Sequence, residues 1–287
     1  MTLRVGLVGA GPWARMVHAP TLAAHPGTEL AAVWARRPDQ AAEVAAAHGG
    51  VACDELDGLL GRCEAVVFAV PPDVQADLGV RAAQAGKALL LEKPVALDVA
   101  AADRLADAVD AAGVGSQIVL TWRYAAATRR FLAELTGTPL GGRGWFVSGT
   151  ALGGPFVTPW RQAHGKVLDL GPHVLDLLGA AMGEIVEVRA LGDPHRWVAL
   201  LLAHESGAVS SASLSGSCPG PASAGVEVRT DHDRFALDTN AALDGTTFTT
   251  VLDEFVRTAA GEPHPLDVHH GVHLQRLLEL ATRDLER

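Results

Sequence analysis

The sequence predicts an α/β protein with two parts: an N-terminal doubly wound parallel sheet of the Rossmann type, then an α+β part with an open, mostly antiparallel sheet. Three observations predict it. Short apolar runs alternate with helix-like segments through residues 1–120. The first run leads directly into Gly9-Ala10-Gly11-Pro12-Trp13-Ala14, a glycine pattern that opens a helix. Beyond Gly141 the strands lengthen and are joined by short turns such as Glu205-Ser206-Gly207 and Asp231-His232-Asp233, which means antiparallel pairing. The predicted domains are 1–120 and 121–287, with a poorly marked boundary near Thr121 and a C-terminal helix free to pack back on the first domain.

Leu3–Val8 is a short apolar run, interrupted by Arg4 and Gly6, and reads as a parallel-sheet strand. The loop after it matches G-x-G-x-x-G/A, with Ala14 in the third place. Gly9 permits the tight turn, Gly11 lets a pyrophosphate approach backbone N–H groups, and Ala14 lets the helix lie close on the sheet. Pro12 and Trp13 share the loop. The helix N-terminus adds about half a positive charge facing the phosphate. The next strand, Leu30–Trp34, ends in Ala35-Arg36-Arg37-Pro38. An Asp or Glu near this point would accept from a ribose 2′-OH and repel a 2′-phosphate. Arginine binds such a phosphate with charge-assisted, bidentate geometry. Arg36 and Arg37 therefore predict NADP(H) as the preferred cofactor, with NAD(H) as the second choice.

A helix over Pro38–His48 and a short one over Asp54–Leu60 precede the buried strand Ala65–Ala69. Val70-Pro71-Pro72-Asp73 is a turn at that strand's carboxyl end, which predicts Pro71 beside the nicotinamide. Asp73 reads as the N-cap of a helix running to Ala85, and Gly86 as its stop. Leu89-Leu90-Leu91 reads as a fully buried strand ended by Glu92-Lys93-Pro94. Ligands of open α/β sheets sit beyond the carboxyl ends of strands. Lys93 thus leaves the core where the cofactor is expected, aimed by Pro94. It has two uses there: donating to an oxygen whose carbon exchanges a hydride, or holding a phosphate or carboxylate. Asp98 caps a helix through Ala112, with Leu105 and Val109 on its buried stripe; Gly113-Val114-Gly115 closes it, and Ser116–Leu120 is the last strand of this half.

In the second half, Ala125–Thr136 reads as one amphipathic helix with Phe131, Leu132 and Leu135 on its apolar face. The strands are Trp145–Ala151, Ile185–Leu191, Trp197–His204, Ala208–Leu214, Val226–Thr230 and Arg234–Asp238. The chemical stretch runs from Gly165 to Asp176. Pro172 suits the first turn of a helix, His173 would project from that turn, and Asp169 would lie just before it. A carboxylate four residues away fixes an imidazole's tautomer and raises its basicity, so the pair can pass a proton. The structural alternative is that Asp169 caps the helix and His173 is a satisfied polar residue. His269, His270 and His273 have no Glu or Cys companion nearby; zinc needs three or four converging ligands, and no metal site is predicted.

The formal net charge of −10 over 287 residues argues against a nucleic-acid surface, which needs a basic footprint. Cys53, Cys63 and Cys218 are scattered and odd in number, as free thiols in a reducing compartment are. A first strand at Leu3 leaves no room for a signal peptide, and no apolar run approaches the ~20 residues of a membrane span. The expectation is a soluble cytoplasmic chain with a small-molecule substrate and neither nucleic acid nor membrane as partner.

Gly9-Ala10-Gly11-Pro12-Trp13-Ala14, Ala69-Val70-Pro71-Pro72, Glu92-Lys93-Pro94 and Gly165 through Asp176 occur in this order. On these motifs the chain resembles the Gfo/Idh/MocA family of NAD(P)-dependent oxidoreductases over essentially its whole length. The resemblance implies a lysine at the nicotinamide, carried to Lys93, with a cis bond to Pro94 and Glu92 in the same cofactor element. It pairs Lys93 with Asp169 and His173 as the catalytic set. It directs Arg161, Tyr124 and His173 toward the substrate, and it implies a homodimer or homotetramer through the free face of the second sheet. Thr121 stands where the family often has an asparagine, so the usual sugar-hydroxyl contacts do not carry over.

The function predicted is an NADP-dependent oxidoreductase that moves a hydride between the nicotinamide and a secondary alcohol or ketone, a sugar, cyclitol or similar. Two alternatives stay open. A non-catalytic nucleotide sensor or regulatory protein would need neither Lys93 nor the Asp169/His173 pair. A lyase or hydrolase would oxidise its substrate transiently with bound cofactor.

Overall fold

The computed structural model describes residues 2–287. Its first stretch runs β1 (Leu3–Val8), a π-helical turn (Ala14–His18), α1 (Ala19–Ala24), β2 (Thr28–Trp34), α2 (Pro38–His48) and β3 (Val51–Cys53). It continues α3 (Leu56–Leu60), β4 (Ala65–Phe68), α4 (Pro72–Gln84), β5 (Ala88–Leu91), α5 (Val99–Ala112) and β6 (Ser116–Ile118). The second stretch is α6 (Thr121–Tyr124), α7 (Ala126–Glu134), β7 (Pro139–Val147), α8 (Pro159–Met182), β8 (Ile185–Asp193), β9 (Trp197–His204), β10 (Val209–Ser215), β11 (Ser223–Thr230), β12 (Arg234–Asp238) and α9 (Thr239–Ala242). The chain ends with α10 (Thr247–Ala259) and α11 (Val268–Leu285).

The first sheet has the order β3-β2-β1-β4-β5-β6, and every pairing in it is parallel. This is the doubly wound Rossmann order, whose ligand crevice opens where the strand order reverses. Residues of β4 and β5 are buried without exception, as expected of strands covered on both faces. Asp98 caps α5 by accepting from the Ala101 N–H at 2.7 Å, and Gly113 ends that helix in the left-handed region at φ 63°. Two local expectations change. Pro71, not Asp73, is the N-cap of α4, because proline fits the first helical position and starts the helix at Pro72. β6 stops at Ile118, and Thr121–Tyr124 turns into a short helix.

The chain divides into two compact units. The first joins the chain up to Val119 with Phe248–Val272; the second joins Leu120–Thr247 with His273–Arg287. The returning segment of the first unit covers the β6 edge. Gln117 Nε2 donates to the Val251 carbonyl at 3.0 Å, the Ile118 N–H donates to the Leu266 carbonyl at 2.8 Å, and the Val268 N–H donates to Ser116 Oγ at 3.0 Å. An edge paired in this way is closed to other strands. Val251, Leu252 and Phe255 of α10 are buried in the same unit.

The second unit is built on a six-stranded sheet of order β12-β11-β7-β10-β9-β8. Only the β10–β7 pairing is parallel; the other four are antiparallel. The first strand begins at Pro139, earlier than the expected Trp145, because Gly141, Gly142 and Gly144 pair in the ladder. One face packs on α8, whose residues 165–178 are all buried. The other face is open. On it Glu227 accepts from Arg234 at 2.9 Å, Arg143 at 3.1 Å and Arg229 at 3.2 Å. The hydrogen bond from Arg234, then that from Arg143, holds the Glu227 carboxyl down to about 2 against some opposing desolvation.

Phe255→Ala should lower stability by about 3–5 kcal/mol, the usual cost of deleting a buried phenyl ring, measured by guanidinium titration; an unshifted midpoint would show that α10 is not part of the first unit's core. A depressed carboxyl contributes stability above its unfolded value of 4.5 that is lost as pH falls toward 2. The wild-type advantage over Glu227→Gln should therefore be full above pH 4.5 and shrink below it in parallel denaturation curves.

Candidate active site

The carboxyl ends of three neighbouring strands, β1, β4 and β5, carry the Gly9–Ala14 loop, the Pro71 turn and Lys93. Adjacent strands lie ~4.8 Å apart, so these three elements share one short edge of the first unit. Gly9 has φ 120°, and a Cβ there would collide with the Ala69 carbonyl; only glycine fits the turn. Gly11 differs: a Cβ added to it meets no atom within 4 Å. Neither packing nor backbone conformation calls for glycine there, and the room above it suits a close-approaching phosphate of a dinucleotide. Ala14 is fully buried, as a helix lying close on the sheet demands. The helix that follows widens into a π turn over Ala14–His18 just before Pro20, a feature common at functional sites.

Lys93 sits half-buried past the end of β5, and its bond to Pro94 is cis. The side chain of Gln75, fully buried on α4, holds this segment. Its Oε1 accepts from the Glu92 N–H at 2.8 Å. Its Nε2 donates to the Glu92 carbonyl at 2.7 Å and also reaches the Val95 and Pro94 carbonyls at 3.2 and 3.3 Å. Glu92 itself turns to the glycine-loop helix: its Oε1 accepts from Trp13 Nε1 at 2.6 Å and bonds His18 Nε2 at 2.7 Å. Trp13 and Glu92, expected in the cofactor site, are thus tied to each other, and they join the glycine loop to the lysine element.

Arg36 and Arg37 follow β2 and are exposed; among the described residues neither has an ion-pair partner. Arg15 is engaged instead, donating to the Ala10 carbonyl at 2.9 Å and to Glu43 at 2.7 Å.

In the second unit α8 is broken by Gly165, at φ 69° and ψ −163°. A Cβ at Gly165 would lie 2.6 Å from the Pro194 carbonyl oxygen, which also accepts the Lys166 N–H at 2.8 Å. Helix geometry resumes at Lys166. Asp169 therefore lies in the first turn of the resumed helix rather than ahead of it, and Pro172 lies inside it rather than at its start. Pro172 removes the N–H that would close onto the Leu168 carbonyl. Asp169 and His173 share one helix face at i, i+4, and both are buried.

The Asp169 carboxylate accepts from Arg161 Nε at 3.0 Å and from Lys166 Nζ at 3.2 Å. The Arg161 guanidinium lies over the Trp160 ring at 4.6 Å and near Phe156 at 5.8 Å. The His173 ring packs against Trp122 at 5.1 Å and Phe146 at 6.0 Å between centroids. Asp176 accepts from Arg123 at 2.7 Å. Tyr124 is buried beneath Arg129, whose guanidinium is 5.8 Å from its ring. Two of the three late histidines go elsewhere: His269 bonds Asp110 at 2.9 Å, and His273 lies 3.6 Å from Glu184.

Sequence reasoning missed Gln75, His18 and Lys166. Gln75 shares a helical stripe with Pro72, Ala76, Gly79 and Ala83, all buried, and a lone amide on such a stripe is a signal for a buried hydrogen-bonding task. Lys166 is a cation inside a long buried run. Gln75→Leu should cost about 1–3 kcal/mol by leaving the Glu92 N–H and its neighbouring carbonyls unanswered; urea titration showing wild-type stability would contradict the anchoring role.

Residues 3–118 match the model of an oxidoreductase family with an NAD-binding Rossmann fold. The chain is 39% identical over 102 residues to inositol 2-dehydrogenase of Rhizobium meliloti (strain 1021), covering 34% of this chain and 30% of that protein. It is 31% identical over 199 residues to dTDP-3,4-didehydro-2,6-dideoxy-alpha-D-glucose 3-reductase of Streptomyces violaceoruber, covering 65% of this chain and 56% of the relative. The matched part thus spans under two thirds of either relative's length. The structure of UDP-N-acetylglucosamine 3-dehydrogenase from Acidithiobacillus ferrooxidans superposes with a TM-score of 0.89 at 22% identity, over 100% of this chain and 98% of that one, a likeness of fold. The glycine loop, the proline turn and the Glu-Lys-Pro element, which end adjacent strands of the parallel sheet, all lie within the segment 3–118 that matches the Gfo/Idh/MocA oxidoreductase family model.

Proposed function

We propose that the protein is an NADP-dependent oxidoreductase acting on a secondary alcohol or the matching ketone of a sugar or cyclitol. The observation that carries this reading is the alignment of the glycine loop, Pro71 and Lys93 on three adjacent strand ends. The preference for NADP(H) over NAD(H) rests on Arg36 and Arg37, two exposed guanidiniums where a discriminating carboxylate would otherwise stand.

A bound nicotinamide dinucleotide supplies the hydride acceptor in one direction and the donor in the other. The chain supplies the rest. Gly9, Gly11, Pro12 and Trp13 would hold the pyrophosphate at a helix N-terminus, with Ala14 letting that helix lie close on the sheet, and Pro71 would face the ring. Lys93 donates a hydrogen bond to the substrate oxygen and stabilises its developing charge. His173 takes the hydroxyl proton during oxidation and returns it during reduction. Asp169 acts as a positioning residue for this face of α8, fixed from both sides by Arg161 and Lys166. Trp122 and Phe146 limit the tilt of the His173 ring and keep water from it.

The macromolecular partner in this reading is a second copy of the chain, through the open face of the second sheet. That face carries Ala199, Ser213, Trp145 and Gly225 in register across β9, β10, β7 and β11. Leu191 and Leu201 stand on it 79% and 56% exposed, which favours burial against another sheet.

Lys93→Ala should abolish turnover while changing nucleotide affinity less than about tenfold, read by stopped assays and fluorescence titration; wild-type turnover would rule out the lysine's role. Arg36→Ala with Arg37→Ala should weaken NADP(H) at least about tenfold and leave NAD(H) unchanged, and tighter wild-type binding of NAD(H) would overturn the cofactor assignment. Leu201→Glu should reduce the mass seen by light scattering to that of one chain; an unchanged mass would exclude this face as the interface.

A further inference from the structure

The charges around Asp169 do not balance. Arg161 and Lys166 are both permanent or near-permanent cations in water, and they share one carboxylate. The side chains of Lys166 and Asp169 are 5% and 6% exposed, so solvent does little to offset the surplus. Asp176, the other buried carboxylate of this helix, is matched by Arg123 and leaves no charge to spare.

The donors are also under-used. An ammonium has three N–H bonds and a guanidinium five. Among the described residues, Lys166 Nζ has Asp169 Oδ2 as its acceptor. Arg161 donates through Nε to Asp169 and through Nη1 to Thr158 Oγ1 at 3.3 Å, which leaves the remaining fork free. The Lys166 stem is held in place by Gly216, where any Cβ would collide with Lys166 Cε. Arg161 is stacked on Trp160 and keeps 21% of its side chain exposed. One cation is therefore buried and fixed, the other is fixed and accessible, and both lie on the helix that carries His173.

We infer that Arg161 and Lys166 form an anion subsite, and that the substrate carries an acidic oxygen group, a carboxylate or a phosphate, beside the carbon that exchanges its hydride. This rests on the hydride-transfer reading above and narrows it from sugars in general to acidic ones. Either group would fill the open donors with charge-assisted hydrogen bonds; a carboxylate would bring the cluster to neutrality, and a phosphate monoester would carry it past neutrality by up to one charge. A neutral polyol would leave the surplus charge uncompensated. The anion would also fix the substrate's register relative to His173, since two rigid donors define a direction as well as a charge.

The test is calorimetric titration of the wild-type protein, saturated with NADP(H), using matched probes: D-glucuronate and D-glucose 6-phosphate against D-glucose, and D-galacturonate against D-galactose. At least one acid should bind ten times more tightly than its neutral partner; a uronate identifies the group as carboxylate, and the sugar phosphate identifies it as phosphate. Lys166→Met, with an unchanged melting temperature, should lose that preference, and Lys166→Arg should restore most of it. If Lys166→Met does not fold, the wild-type comparison alone decides. Equal affinities, or no acid bound across the panel, would overturn the inference. Reduction of NADP+ by neutral polyols with no acid preference would do the same while leaving the hydride reading intact. Tight acid binding with no change in either nucleotide would keep the subsite and overturn the hydride reading.

Discussion

The first unit depends on the clasp that Gln75 makes around residues 92–95. A parallel strand that ends in Glu-Lys-Pro has no ladder partner for its last backbone groups, and an open end would let the lysine wander. One buried amide answers this by accepting from the Glu92 N–H and donating to the carbonyls beyond it. A buried amide with both ends satisfied is rigid, because any movement exposes groups that are costly to leave without partners. The backbone on either side of Lys93 is thereby held by α4. The Glu92 carboxylate extends the clasp to Trp13 and His18, so the glycine loop and the lysine element are tied together.

The second unit uses a different physical device. Gly165 breaks α8, and the resumed helix begins with a buried cation and places a carboxylate and an imidazole on one face. Buried ion pairs contribute little net stability once desolvation is counted, so the Arg161–Asp169–Lys166 cluster is poorly explained as a stabilising feature. It is better explained as preorganisation: charges fixed before a ligand arrives need no rearrangement when it does. Apolar residues could fill the same volume at less cost, as Trp122 and Phe146 do where they pack on His173.

The Rossmann half was legible because each signal is local. Glycines followed by a helix, apolar runs of strand length, Asp98 before a helix and Gly113 after it all report on a few consecutive residues. The Glu-Lys-Pro element was legible for the same reason. What the sequence hid is long-range. Gln75 acts on residues seventeen to twenty positions later, and His18 meets Glu92 across seventy-four. The start of α8 was misplaced because Pro172 imitates a first-turn proline, whereas the real break is a glycine whose positive φ is set by the distant Pro194 carbonyl. The partners of Asp169 follow from that shift: once the helix resumes at Lys166, the lysine falls one turn before the carboxylate and reaches it. The return of Phe248–Val272 to the first unit was likewise hidden, since the apolar stripe of α10 does not say which sheet it covers.

The position of a bound nucleotide in the first unit decides between hydride chemistry and its alternatives most directly. A crystal structure of the protein with NADP+ would measure it. The nicotinamide ring should rest against Pro71 with Lys93 Nζ within hydrogen-bond reach of a substrate oxygen placed at its C4, the pyrophosphate over Gly11, and the 2′-phosphate on Arg36 and Arg37. A nicotinamide directed away from Lys93, or a pyrophosphate bound elsewhere than over the glycine loop, would contradict it.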